Sequence, residues 1–467
     1  MQRRDLTHHP PSFGRAACLL RGALACAALD AGRLGRPDRA RREPAAGRCD
    51  GDRRTRGRRR ARNGERAASG RGASHLSARL PRAARGERDL AASSALEVSG
   101  AAAQEPGPSG SQVKALALAL GFDLAGVAPA APAPTSSFLR EWLARGFAGE
   151  MEWLNRRVEA RIDPRRVLEH ARSVVAVALV YDPGLRPPAG RGRGGVARYA
   201  GGEDYHDVLR ERLRALGAGL EALAQRAVRW RAYVDTGPVL ERALAAQAGL
   251  GWVGKNTCLI HRELGSYLFL GALLTDLDLP ADTPEPDHCG SCRACLDACP
   301  TQAFVEPHVL DATRCLSYLT IESRSAIPER FREAQGDLVF GCDLCQEVCP
   351  FNLRERRRVP QDRLGLRARL APRTEWVAPS LGWLLSLDEA AWRAATRRSA
   401  LRRAKHRFLL RNALVAAGNS ADPALRPLLE RHAAGADPLL AEHARWALGR
   451  LSSLESGQRP TPGGRAF

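Results

Sequence analysis

The sequence predicts an α/β (α+β) core that carries an inserted cysteine-rich module and is followed by an all-α, repeat-like segment. Three observations predict it. β-rich apolar runs alternate with amphipathic helical stretches between 111 and 280, the pattern of a layered core. Eight of the twelve cysteines fall between Cys289 and Cys349, and beyond Pro360 the composition turns to Ala/Leu-rich helix formers. A chain of 467 residues has room for several domains with self-sufficient cores.

Residues 1–110 hold 23 Arg and no Lys against 11 acidic residues, more than half of the net charge of +21. Without apolar periodicity such a stretch cannot offset its ordering entropy, so it is expected to be a disordered extension or an upstream start translated in error. Arg3-Arg4 hints at a twin-arginine export signal, but no hydrophobic region of the expected form follows it. The most apolar stretch, Ala16–Leu34, is interrupted by Arg21, Asp30 and Arg33, which argues against a membrane span and for a cytoplasmic protein.

The core is expected over 111–280. SQVKALALAL reads as a helix stopped by Gly121, and a short strand follows. SVVAVALVY is suited to a buried strand, 183–196 to an exposed loop, DYHDVLRERLRALGAGLEALAQ to a long amphipathic helix, and VRWRAYV to a strand. VLERALAAQAGL then reads as a helix and SYLFLGALLT as an apolar strand, before the acidic, Pro-rich linker ADTPEPDH. The cysteine module is assigned to 281–356, a helical domain to 360–452 and a disordered tail to 453–467. In the helical domain, LRRAKHRFLLRNALVAAG and ADPLLAEHARWALGRL look like members of a helical repeat stack.

The run Cys289-x2-Cys292-x2-Cys295-x3-Cys299-Pro300 has the spacing by which three thiolates reach one cubane cluster while the fourth reaches its neighbour. Cys315 and Cys342-x2-Cys345-x3-Cys349-Pro350 supply the other half. The crossed rule assigns Cys289, Cys292, Cys295 and Cys349 to one [4Fe-4S] cluster and Cys299, Cys315, Cys342 and Cys345 to the other. Two four-cysteine zinc sites compete with this reading, but the Cys-Pro endings favour clusters. Cys18, Cys26, Cys49 and Cys258 read as bystanders.

Two clusters form a one-electron wire, which implies a further redox centre. No G-x-G-x-x-G follows a strand, and Gly249-x4-Gly254-Lys255-Asn256 departs from a P-loop because Asn256 replaces Ser/Thr and a helix precedes it. Asp204-x-His206 matches the start of a cobalamin motif, but Leu209 stands where that motif has Gly, so His206 is read as a pocket-wall or helix-start residue.

The segments ARYAGGEDYH (197–206), YVDTGPVLER (233–242), GWVGKNT (251–257), GSYLFLG (265–271), CGSCRACLDACPTQAF (289–304), CLSYLTIE (315–322), GCDLCQEVCPFN (341–352) and LRRAKHRFLLRNALVAAGN (401–419) together resemble the epoxyqueuosine reductases. The resemblance spans roughly 111–452. It implies a cobalamin-binding core related to reductive dehalogenases, a ferredoxin-like module with two [4Fe-4S] clusters and a C-terminal HEAT-like, tRNA-binding domain. The reaction it implies is the last step of queuosine biosynthesis, reduction of epoxyqueuosine at the wobble position of tRNA by cob(I)alamin that the clusters keep reduced.

By the same resemblance Asp235 is the proton donor, and this role predicts a pKa raised by burial. Capping of the helix near Pro238 is its ordinary alternative. Cobalamin contacts are expected from Arg161, Tyr199, Asp204, Tyr205, His206, Lys255, Asn256, Ser317 and Tyr318. Gly201 fills a slot where relatives often carry Cys, which implies that the thiol is dispensable. Arg402, Arg403, Lys405, Arg407 and Arg411 are expected to project from a helix toward tRNA phosphates. The partners implied are epoxyqueuosine-bearing tRNA and a low-potential electron donor, with the protein a monomer. A cobalamin-dependent reductive dehalogenase and a non-enzymatic iron–sulfur carrier are the alternatives. The first lacks its export signal, and the second leaves 111–280 without a role.

Overall fold

The structure is a computed structural model that describes residues 107–181 and 190–455. The expected Arg-rich extension with Cys18, Cys26 and Cys49, residues 183–189 of the expected loop and the tail beyond Glu455 lie outside the described residues, and the loop's end is not exposed, since Gly195–Val196 form a buried strand.

Helix α1 (Gly110–Ala119) opens on a capping box in which the Ser109 side chain accepts from Gln112 N and the Gln112 side chain accepts from Ser109 N. Gly121, at φ 95°, turns the chain into the core sheet. Its strands are β1 (Leu124–Pro129), β2 (Ser173–Val180), β3 (Trp230–Tyr233) and β4 (Leu268–Thr275), in the order β1-β2-β4-β3. Every pairing is antiparallel, so the two options left open by the sequence resolve to α+β.

All eight residues of β2 are buried, which its unbroken apolar run requires when both faces of a strand are covered. Val175, Val177 and Leu179 face α2 (Tyr205–Ala224), whose Leu209, Leu213, Leu216 and Leu220 are fully buried at helical spacing. Val174, Ala176 and Ala178 face Leu244 and Ala245 of α3 (Glu241–Gln247) on the other side. Burying each of those α2 leucines contributes about 2 kcal/mol. Together they fix α2 across the sheet, with its first turn beside the loop that leaves β3.

The cysteine module folds around short helices, among them α4 (Leu316–Ile321), and joins the tail without an intervening linker. One apolar cluster contains Val196 and Ala200 of the core, Ile321, Val339 and Phe340 of the module, and Trp376, Leu409, Leu414 and Ala447 of the tail. The tail is helical. Its longest elements are α5 (Lys405–Asn419) and α7 (Pro438–Glu455), which pack together beside α6 (Arg426–Ala433). The single basic helix expected across 401–419 is instead two pieces, because residues 400–404 form a 3-10 turn entered through a Ser399 cap and the chain breaks at Lys405, φ 59°.

Tail and core also meet at Gly201 and Gly202. A Cβ on Gly201 would stand 2.7 Å from Pro372 Cβ, and one on Gly202 would collide with the Leu370 carbonyl. Gly201 is therefore a packing requirement of this chain. Among the described residues no helix is long and apolar enough to cross a membrane.

Candidate active site and cluster sites

The chain leaves β3 through a three-residue turn in which Thr236 N donates to the Val234 carbonyl, 2.6 Å, with Asp235 at its centre at φ 56°. A non-glycine residue held there stores backbone strain of a kind that collects at functional sites. Asp235 is not a helix cap, since α3 starts six residues later behind Leu240, which makes no capping bond. The turn is clipped from two sides. Arg210 of α2 donates to Thr236 Oγ1, 2.8 Å, and Arg161 from the short helix Val158–Ile162 donates to the Gly237 carbonyl, 3.1 Å.

His206, 16 % exposed, sits in the first turn of α2 between two carboxylates. Its Nδ1 lies 2.7 Å from Oδ1 of Asp204, the cap of α2, and its Nε2 lies 3.2 Å from Asp235 Oδ2. Burial works against the charged ring, but the two carboxylates prevail and push the His206 pKa up to about 9. The same contact acts on Asp235. Crowded surroundings work to raise its pKa although 58 % of its side chain is accessible, and the hydrogen bond and charge of His206, helped by Tyr205 and Arg403, bring it below the usual carboxylate value. This corrects the raised pKa expected for Asp235: near neutrality the proton resides on His206.

Tyr205 stacks on His206 at 4.0 Å and on Phe269 at 4.3 Å, and Tyr199 meets Tyr205 edge-on at 6.0 Å, forming an aromatic wall. Opposite, the Trp153 ring lies between the guanidiniums of Arg161, 5.3 Å, and Arg403, 5.6 Å. Arg161, Tyr199, Asp204, Tyr205 and His206 are thus gathered with Asp235. The other expected cobalamin contacts lie among the cysteine loops. Lys255 Nζ donates to the Gly290 and Cys292 carbonyls, and buried Asn256 joins the Cys345 carbonyl to Cys258 N. Ser317 and Tyr318 give backbone N–H groups to Cys315, while the Tyr318 hydroxyl accepts from Glu150 N.

Cys289, Cys292, Cys295 and Cys349 line one cavity of about 210 Å³. The Cys295 thiol is pushed up to about 11 by burial and then by Cys349, Cys289 and Cys292, its neighbours in that set. Cys342 is raised by burial and by Cys315 and Cys299, and Cys345 by contacts that include Cys258, Cys315 and Cys342. These neighbouring thiols are compatible with the two sets of the crossed rule. Trp252 Nε1 donates to Cys289 Sγ, 3.4 Å, and Ala303 N to Cys299 Sγ, 3.3 Å, contacts of the kind that set cluster potential. Cys292 is exposed, whereas Cys299, Cys315, Cys342 and Cys345 are all partly buried, so the first cluster would be the outer one.

If the crossing is right, Cys292→Ser and Cys349→Ser lose the same cluster, taking iron from about eight to about four per chain and leaving identical paramagnetic spectra. Cys315→Ser leaves the complementary spectrum. Matching spectra for Cys349→Ser and Cys315→Ser would reverse the assignment.

The basic run of the tail divides. Arg402 and Lys405 are exposed, Arg403 pairs with Glu322 at 2.9 Å beside Trp153, and Arg407 pairs with Asp437 at 2.5 Å. Arg411 is fully buried and donates to the carbonyls of Leu319, Ser323 and Ser325 and to Asn412 Oδ1, so it corrects the expectation of a phosphate contact there. Sequence reasoning passed over Trp153 and Glu241, and it read Cys258, which touches Cys345, as a bystander. Glu241 alone carried a signal, as part of the YVDTGPVLER segment.

Residues 161–236 match the family model described as epoxyqueuosine reductase QueG, and residues 288–352 match a 4Fe-4S double cluster binding domain. An epoxyqueuosine reductase of Gloeobacter violaceus is 47 % identical over 323 residues, 68 % of this chain and 98 % of that protein. That of Escherichia coli K12 is 40 % identical over 347 residues, 72 % of this chain and 88 % of its own. A crystal structure of epoxyqueuosine reductase with an epoxyqueuosine-modified tRNA-Tyr stem loop superimposes with a TM-score of 0.67 at 32 % identity, covering 74 % of this chain and 91 % of the other.

Proposed function

This chain belongs to the epoxyqueuosine reductase family, oxidoreductases that act on epoxyqueuosine, and from that premise we propose that Asp235 and His206 together deliver the proton that opens the epoxide at the wobble position of tRNA. The observation that carries the reading is His206 bridging the Asp204 and Asp235 carboxylates at 2.7 and 3.2 Å. A bare electron carrier has no use for such a pair.

The family's cofactors are cobalamin and two [4Fe-4S] clusters. The two thiol groups fit the clusters. Beside Asp235, the aromatic wall and two buried polar atoms without protein partners, Arg161 Nε and Glu241 Oε1, fit a polar ligand rich in amides such as cobalamin. Arg161, Tyr199, Asp204, Tyr205 and His206 would hold it, and when bound it supplies the low-potential electrons of the reaction.

The chain's own residues manage the proton. A carboxylate with a depressed pKa cannot donate alone, but the imidazolium of His206 can recharge it. As negative charge develops on the epoxide oxygen, Asp235 presents a proton to it and takes one from His206 Nε2, while Asp204 keeps the ring oriented through Nδ1. The strained turn holds Asp235 in place for this transfer. Anaerobic single turnover with reconstituted protein, cobalamin, a chemical reductant and epoxyqueuosine-bearing tRNA tests the function. Queuosine should be recovered by mass, and its absence from protein with about eight irons and bound cobalamin would refute it.

The HEAT-like tail is read as the tRNA-binding face, with Arg402 and Lys405 meeting phosphates, since no ion pair among the described residues engages either one. Changing both to Ala lowers the slope of log K against log salt by about 1.5. An unchanged slope removes them from the footprint. Cytoplasmic action as a monomer completes the reading.

A further inference from the structure

We propose that Trp252 is a positioning residue that tunes the reduction potential of the outer cluster. Its indole N–H, aimed at Cys289 Sγ, makes the cluster beside exposed Cys292 easier to reduce, at the place where electrons would enter the protein. The inference rests on the two-cluster reading and on Cys289 belonging to the outer set.

Trp252 belongs to the core, on the short strand Trp252–Val253 that pairs antiparallel with Leu259–Ile260 beside α3. Its side chain is 3 % exposed and packs with Ile260 and Cys349, and Cys289 and Phe351 adjoin the same group. One core residue thus packs against the first and the last cysteine of the module, two thiols that the crossed rule places on one cluster. Two rings fix the direction of its N–H. His288 and Phe351 each meet the indole edge-on at 4.9 Å, and His288 is itself tied through Nε2 to Glu285 at 2.8 Å.

A buried indole N–H needs an acceptor, and here it finds Cys289 Sγ at 3.4 Å. A neutral thiol accepts weakly, whereas a thiolate bound to iron carries negative charge and accepts well. An added electron increases that charge, so the bond is stronger to the reduced cluster than to the oxidised one and favours reduction. Two charged neighbours bear on the same loop. The Asp287 carboxylate, which accepts from Cys289 N at 2.7 Å, works against reduction, and the Lys255 ammonium on the Gly290 and Cys292 carbonyls works for it. Both are bonded to backbone groups, while the indole acts on the ligand sulfur itself.

Trp252→Phe keeps a ring against His288 and Phe351 and removes only the N–H. The full chain, reconstituted to about eight irons, is titrated with reductant and followed by paramagnetic resonance. At a fixed potential the ratio of reduced to oxidised outer cluster should fall about tenfold in the variant, a shift of about 59 mV for one electron. The inner cluster should titrate as in the wild type, the two being told apart by the spectra that Cys315→Ser and Cys292→Ser leave. A merely structural role would alter iron content or the urea midpoint and leave the potential in place. An unmoved outer cluster in a variant that holds about eight irons overturns the proposal. Should Trp252→Phe lose that cluster, wild-type protein with isotopically labelled indole nitrogen decides. Its reduced outer cluster should show a hyperfine coupling to that nitrogen, and the lack of one overturns the proposal. Wild-type protein that retains no iron refutes the two-cluster reading instead.

Discussion

Asp235→Asn is expected to lower the single-turnover rate of epoxyqueuosine reduction about 10²–10⁴-fold while leaving iron content and tRNA affinity intact. Asn is the substitution of choice because it tolerates the left-handed backbone that residue 235 adopts, so the turn at φ 56° survives and only proton transfer is lost. His206→Gln separates the two partners. In the wild type the imidazolium persists until pH rises through about 9, and Asp235 is ionised above a pKa below its ordinary value. Between those limits the pair is charged and competent, so His206 sets the alkaline limb of the rate profile. Without His206, burial is opposed only by Tyr205 and Arg403, the Asp235 pKa rises, and the alkaline limb moves down toward it. An Asp235→Asn enzyme with full rate, or a His206→Gln enzyme with the same limb near pH 9, would refute the shared-proton mechanism.

Arg411→Leu is expected to destabilise the folded protein by about 3–5 kcal/mol, read as a lower urea midpoint. The side chain is fully buried and makes no ion pair among the described residues. It instead satisfies the carbonyls of Leu319, Ser323 and Ser325 and the Asn412 side chain. Leucine supplies no donors, so several buried acceptors lose their partners at once. Those carbonyls lie in and after α4, which begins next to Cys315, so the inner cluster should also become easier to strip with a chelator. The salt dependence of tRNA binding should not change. An unchanged urea midpoint would show that water or a neighbouring donor replaces the guanidinium.

The central core strands were legible because a long apolar run fills a strand covered on both faces, as β2 shows at all eight positions. The double-cluster module was equally legible, since the C-x2-C runs ending in Cys-Pro mark it and residues 288–352 match such a domain. Asp235 was visible only through family resemblance, and its protonation state was misjudged because that state depends on His206, 29 residues earlier in the chain. The basic run at 402–411 failed as a pattern for a related reason. Arginine type and helical spacing say nothing of whether a neighbouring loop turns its carbonyls inward, as residues 319–325 do toward Arg411. Lys255 gave no sign in the sequence of its actual neighbours either, the Gly290 and Cys292 carbonyls that its ammonium meets. Glu241 had the reverse fault, a familiar motif position whose unpartnered oxygen only coordinates could reveal.

The contact between Gly202 and the Leu370 carbonyl bears on how mutational maps of this protein are read. A survey of tolerated substitutions would score residue 202 as severely as a cluster ligand, because any side chain there meets the Leu370 carbonyl. Intolerance there records that two distant stretches of backbone share one van der Waals gap. Only a glycine leaves that gap closed without displacing the tail.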